Sequence, residues 1–202
     1  ALSVCIMIVG SSITRGYQKV IQDKFYNCWG QIHITPFLAD PSNLLQSEYL
    51  DVDSTLYTQL QKVADIKSIQ PYLLHTAILY HEENMEGLLL KGIRKMDTSL
   101  FASNYLIEGR KIHYTDTGYS NELLLSKSTA DLLQVGVGDG IVVYFLREGE
   151  EQPRARKLTI SGIFKTGLED FDKTLAICDI SLLQHIHQQK STTISGYEIY
   201  VN

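Results

Sequence analysis

Cysteine is scarce in this chain, with only Cys5, Cys28 and Cys178 among 202 residues. So odd and sparse a set is no disulfide framework, and without a Cys-x-x-Cys pair it is no cysteine zinc site. Buried free thiols are the expected state. A pairing of Cys28 with Cys178 stays open, because sequence separation says nothing about distance. Proline is also rare, at four residues, and no low-complexity run leaves room for disorder. Basic residues are outnumbered, 18 against 23 acidic, giving a net charge of −5. That balance argues against the concentrated basic face that nucleic acid or anionic headgroups require. Long apolar runs are missing too. Ala1–Gly10 is apolar but shorter than the roughly 20 residues of a membrane span, and it lacks a signal peptide's basic flank. Catalytic signatures are absent as well: there is no Gly-Lys-Ser/Thr phosphate loop and no Gly-x-Ser-x-Gly elbow.

What remains is an ordinary folded composition, 44% hydrophobic and 20% charged, at a length suited to one domain or two small lobes. From Ile6 to Cys28, apolar residues recur with helical spacing at Ile6, Val9, Ile13, Tyr17, Val20, Ile21, Phe25 and Cys28. Arg15, Gln18, Lys19, Gln22 and Asp23 fall largely on the other side, so the spacing predicts one long helix, greasy at first and then amphipathic. Gly30 ends it, and residues 31–36 alternate as a strand.

A polar loop with Pro41, Ser42 and Asn43 follows. Asp53 or Ser54 then caps a helix over 55–64 that buries Leu56, Leu60 and Val63. Strands are expected at 69–81 and 87–93, joined by a hairpin turn at Glu82–Glu86, and the stretch beyond Ile93 reads as irregular. Glu122–Leu125 reads as a strand, with Ser126 or Ser128 capping a short helix through Leu133. Further strands are expected at 141–146, 158–164, 175–178 and 196–201, interrupted by a short helix near 181–187. Helices interleaved with strands, then strands in the majority, indicate an α+β fold. Gly136, Gly138 and Gly140 bracket Asp139 where a helix must turn sharply into a strand, and Gly162 within a strand marks a bulge or close backbone approach.

Glu169, Asp170 and Asp172 form an acidic cluster that could hold a hard cation. Calcium needs six or more oxygens, however, and no Asp-x-Asp-x-Asp-Gly loop supplies them, so a solvated loop with Asp capping the turn is the better reading. His185 and His187 on a helix point to nearly opposite faces and cannot share one ion. Arg147, Arg154, Arg156 and Lys157 flank Glu148, Glu150 and Glu151 in what reads as a solvated hairpin loop.

Several phrases, in order, carry a resemblance: Ile107-Glu-Gly-Arg110, then Glu122-Leu-Leu-Leu-Ser126 leading into Ala130–Asp139, then Gly162-Ile-Phe-Lys-Thr-Gly-Leu-Glu-Asp-Phe-Asp172, and finally Ile194–Val201. Together they resemble the extracytoplasmic domain of lipoprotein-releasing ABC permeases, the LolC/LolE group within the MacB/FtsX-like superfamily. The resemblance implies a two-lobed periplasmic domain over 30–202. It implies that 1–29 is the end of a transmembrane helix continuing as a stalk, with Ile13, Tyr17 and Val20 coupling movement along it.

It further implies a bacterial inner-membrane protein that is not itself an enzyme and holds no cofactor, with ATP bound by a separate cytoplasmic ATPase subunit. The implied partners are that ATPase, a second permease subunit, lipoprotein cargo and a periplasmic lipoprotein chaperone. Candidate partner contacts are Arg147, Pro153, Arg154 and Arg156 in the hairpin loop, and Phe171 in the acidic loop. The Leu146–Lys157 hairpin is shorter than the chaperone-capturing hook of LolC-type subunits, which favours a LolE-like role at the membrane exit. Within the same fold, the alternative is a MacB/FtsX-type permease docking an efflux adaptor or a cell-wall hydrolase regulator.

Overall fold

The computed structural model describes residues 2–36, 49–95, 101, 104–115, 117–146 and 153–201. Helix α1, Leu2–Trp29, runs for 28 residues. No proline interrupts it, and the hydroxyls of Ser11 and Thr14 bond back to the carbonyls of Ile8 and Gly10, so both are satisfied within the helix. The helix ends at Gly30, whose φ of 73° is the left-handed conformation that favours glycine and whose amide donates to Tyr26 O at 2.9 Å. The apolar stripe is not buried as an amphipathic helix would ordinarily bury it. Ile6, Val9, Ile13, Tyr17, Val20 and Phe25 are all exposed, and only Cys28 is sealed.

The strands are β1 (Ile32–Ile34), β2 (Leu50–Asp51), β3 (Ile66–His81), β4 (Asn84–Ile93), β5 (Leu106–Gly109), β6 (Glu122–Ser126), β7 (Gly140–Phe145), β8 (Arg154–Phe164), β9 (Leu175–Asp179), β10 (Thr193–Ile194) and β11 (Gly196–Val201). Nine of them form one sheet in the order β1-β11-β3-β4-β9-β6-β8-β5, with β7 pairing both β8 and β3. That double pairing closes β3-β4-β9-β6-β8-β7 into a six-stranded ring. A closed ring leaves these strands without a free edge, which removes the usual aggregation hazard. Its pairings are mostly antiparallel, with β4–β9 and β6–β8 parallel.

Strand β3 is the long element: Ile66–Tyr72 pairs β11, and Leu73–His81 continues into the ring against β4. One buried cluster accordingly joins Ile69, Tyr197 and Ile199 to Leu79, Leu90, Val143 and Ile160. A smaller cluster gathers Cys28, Ile93, Phe101, Leu124, Phe164 and Ile177 below α1.

Short helices decorate the ring: α2 (Ser54–Leu60), α3 (Lys127–Leu133), α4 (Glu169–Thr174) and α5 (Ile180–Ile186). The caps follow local sequence. Asp53 accepts the amides of Thr55 and Leu56, and Ser126 accepts that of Thr129. At Gly92 on β4, a Cβ would lie 2.8 Å from the Cα of Ile180, so glycine lets α5 sit directly on the strand.

Several expectations need correction. Helix α2 ends at Leu60: Leu56, Tyr57 and Leu60 pack against the core, whereas Val63 lies beyond the helix and is exposed. The hairpin turn is confined to Glu82 and Glu83, since His81 already pairs with Asn84. Residues 106–109, read as irregular, add an edge strand to β8. The acidic loop contains the helical turn α4, whose first-turn carboxylates suit a helix N-terminus. Pro41, Ser42 and Asn43 lie outside the described residues.

Candidate functional site

The C-terminal end of α1 is seated on the sheet: Tyr105 Oη donates to the Lys24 carbonyl at 3.4 Å, and the last turn is buried. Cys28 is 2% exposed, and Lys91 of β4 reaches up to it from a site that is itself 4% exposed. Lys91 Nζ lies 2.5 Å from Glu198 Oε1, donates to the Cys28 carbonyl at 3.4 Å, and stands 4.2 Å from the centroid of the Trp29 ring. The other Glu198 oxygen accepts from Tyr200 Oη at 3.2 Å. A lysine against the final carbonyls of a helix also meets the negative end of its dipole, so charge, ring face and helix terminus converge on one ammonium.

Trp29 itself is walled by Tyr72, His33 and Phe171 at centroid distances of 6.1, 5.8 and 5.5 Å. A cavity of about 30 Å³ lies beneath, lined by Cys28, Gln70, Lys91, Phe101, Glu198 and Tyr200. Burial pushes the Cys28 thiol up to about 11 and raises the Tyr105 phenol as well. Both Cys28 and Cys178 are free and buried.

The second feature is the root of the β7–β8 hairpin. Phe145, the last residue of β7, meets His187 edge-on at 6.0 Å, and His187 stacks flat on His75 of β3 at 3.5 Å and 5°. His75 is flanked by the Tyr49 hydroxyl at 3.3 Å and the Gln189 side-chain oxygen at 3.4 Å. Arg154 donates to the Ile186 carbonyl at 2.6 Å, closing the end of α5. Of the candidate partner contacts, Arg154 is therefore half-buried in a cap, whereas Pro153 and Arg156 are exposed. Arg156 Nη1 donates to its neighbouring Ala155 carbonyl at 3.0 Å. Arg147 lies outside the described residues. Phe171 does not project from a loop: it is half-buried against Trp29.

The acidic segment offers little for chemistry. Asp172 is buried, accepting from the amide and hydroxyl of Thr166 at 3.0 and 2.7 Å and from the Gly167 amide at 3.1 Å. Glu169 pairs with Lys173 at 2.6 Å, and His185 packs instead against the ring of Tyr119. Among the described residues no group of three or more potential ligands could hold a metal ion. Gly162 does the expected structural work: a Cβ there would come within 2.6 Å of the Arg110 carbonyl, where the β6–β8 register shifts.

Sequence reasoning missed Lys91 and Glu198. The available signal was a charge set in each of two apolar strands, Leu88-Leu-Leu-Lys-Gly-Ile93 and Tyr197-Glu-Ile-Tyr-Val201. One feature ties the last turn of a long helix to the sheet, and the other packs the ends of β7 and β8 against α5. Among the described residues no helix is long and apolar enough to cross a membrane.

The chain is similar to several proteins of known identity. The chain is 22% identical over 197 residues to the lipoprotein-releasing system transmembrane protein LolC of Xylella fastidiosa, covering 96% of this chain and 45% of the relative. It is 23% identical over 207 residues to the corresponding LolE protein of Haemophilus influenzae, covering 98% and 47%. The chain thus spans about half the length of the curated relatives it matches. In fold it resembles the periplasmic region of MacB from Actinobacillus actinomycetemcomitans, with a TM-score of 0.55 at 14% identity over 88% of this chain and 78% of that one. It also resembles the extracellular domain of the noncanonic ABC-type transporter YknZ from Gram-positive bacteria, with a TM-score of 0.51 at 15% identity over 75% and 74%. From residue 1 to residue 202, the chain belongs to the family of MacB-like periplasmic core domains.

Proposed function

We propose that this domain is the extracytoplasmic part of a bacterial inner-membrane ABC permease that releases lipoproteins. The domain is not an enzyme in this reading: a separate cytoplasmic subunit binds and hydrolyses ATP. Helix α1 is the stalk that carries the resulting movement from the membrane into the periplasmic domain, alongside a second permease subunit. The two lobes are the region around β1 and β11 and the closed ring.

The observation that carries the reading is α1 itself. Its apolar residues from Val4 to Phe25 stay exposed while its last turn is bolted into the core. A helix seated at one end and carrying an exposed apolar stripe is suited to meet lipid or another helix and to transmit a displacement. The names of the two relatives, both lipoprotein-releasing proteins, favour lipoprotein as cargo over other substrates. The hairpin, with Pro153 and Arg156 exposed, is the surface offered to cargo or to a periplasmic chaperone.

The test is Val20→Asp in the full permease reconstituted with its ATPase. Lipoprotein release per ATP hydrolysed is expected to fall at least tenfold with hydrolysis preserved, whereas normal release sinks the stalk assignment. A photo-crosslinker at Arg156 identifies the cargo class. Capture of an efflux adaptor or a cell-wall hydrolase regulator would move the domain to a MacB/FtsX-type role on the same fold.

A further inference from the structure

The geometry points to Lys91 as the positioning residue that sets the direction of α1, with Glu198 as its counter-charge. Any part this plays in transport rests on the stalk reading above. Lys91 and Glu198 side chains are only 5% and 2% exposed, and a buried ion pair seldom adds stability over apolar side chains of equal volume. Stability alone therefore does not account for an ammonium here.

Direction does. Lys91 Nζ makes three different contacts at once: the Glu198 carboxylate, the Cys28 carbonyl and the face of Trp29. The last two belong to the final two residues of α1. The first two contacts are directional, and the cation–π contact fixes the height of the ring above the ammonium. Apolar packing has no such angular preference, so an apolar replacement would fill the space while letting the helix swing.

A small swing at the seat is amplified along the helix. Arg15 lies 14 residues from Trp29, about 21 Å at the helical rise. Glu198 lies on β11 and Lys91 on β4, and both strands pair with β3, so the joint is referred to the rigid sheet rather than to a loop.

The test compares four forms of the chain in a Cys5→Ser background: the parent, the Lys91→Met, Glu198→Leu double variant, Lys91→Met and Lys91→Arg. Spin labels sit on Arg15→Cys and Lys165→Cys, both at exposed positions. The Lys91→Met, Glu198→Leu double variant is expected to keep its thermal midpoint while the label-to-label distance distribution at least doubles in width. Lys91→Met alone, which strands a buried carboxylate, is expected to lose stability. A double variant that folds with an unchanged distribution overturns the assignment, as does a folded Lys91→Arg single variant, with Glu198 intact, whose distribution is as broad as that of the double variant. In the membrane-embedded permease the same double variant separates the two ideas. A broadened distribution with normal lipoprotein release keeps the joint and removes the stalk reading, whereas a broadened distribution with lost release supports both.

Discussion

Phe171 presents its ring to Trp29 at 87°, with 5.5 Å between centroids, so a side chain from the segment after β8 forms one wall of the seat of α1. Such edge-on pairs contribute about 0.5–1.5 kcal/mol beyond the area they bury. Trp29 is the only tryptophan of the chain, so its emission reports on this seat alone. Phe171→Ala is expected to shift that emission to longer wavelength and to lower the unfolding free energy by about 1–3 kcal/mol. An unmoved emission maximum would mean that the ring does not shield Trp29.

Alkaline pH should weaken the same region. Burial raises the Cys28 thiol from its ordinary 9.0 to about 11, and burial followed by the Glu198 charge raises Tyr72 from 10.0 to about 12. The folded chain then keeps protons that the unfolded chain releases. The associated stability is complete below pH 9 and declines as pH rises through 9–12. Urea midpoints measured from pH 7 to 11 should fall above pH 9, and Cys28→Ala should flatten the early part of the decline. A midpoint that holds constant to pH 11 refutes this linkage.

Asp172 is a structural carboxylate. Its oxygens satisfy both polar hydrogens of Thr166 and the Gly167 amide, and its own main-chain carbonyl accepts from Ser128 Oγ at 2.8 Å. Asp172→Ala leaves buried donors stranded and should cost about 2–4 kcal/mol in denaturant unfolding. Chelation with EDTA should leave the wild-type midpoint unchanged. A drop on chelation would restore a cation to the acidic segment.

Neighbouring arginines of the hairpin should separate. Arg154→Ala removes the bond to the Ile186 carbonyl and should lower stability by about 1–2 kcal/mol, measured by thermal or chemical unfolding. Arg156→Ala, at an exposed position, should stay within about 0.5 kcal/mol of wild type and alter only what the hairpin binds. Equal losses for the two would contradict the cap assigned to Arg154.

Much of this architecture is written in short-range signals. The 3.6-residue spacing from Ile6 to Cys28 and the glycine at position 30 set α1 and its end, because both act through neighbouring turns of one helix. Asp53 and Ser126 announce their helices since a cap bonds only two or three residues ahead. Gly162 betrays the bulge because no other residue fits beside the Arg110 carbonyl. The six-residue turn α4 escaped, being too short to show a helical period among its acids.

Tertiary structure alone decided the rest. Whether the apolar stripe of α1 is covered depends on which surfaces come near it, and among the described residues Ile6, Val9, Ile13, Tyr17, Val20 and Phe25 stay exposed. Arg154 and Arg156 are alike in sequence, and only the placement of α5 beside β8 makes the first a cap and leaves the second in solvent. His75 and His187 stack across 112 positions, and Lys91 meets Glu198 across 107. A charge in an apolar strand can be read from the chain. Its partner cannot, because the closure of the ring brings the two together and no local pattern records it.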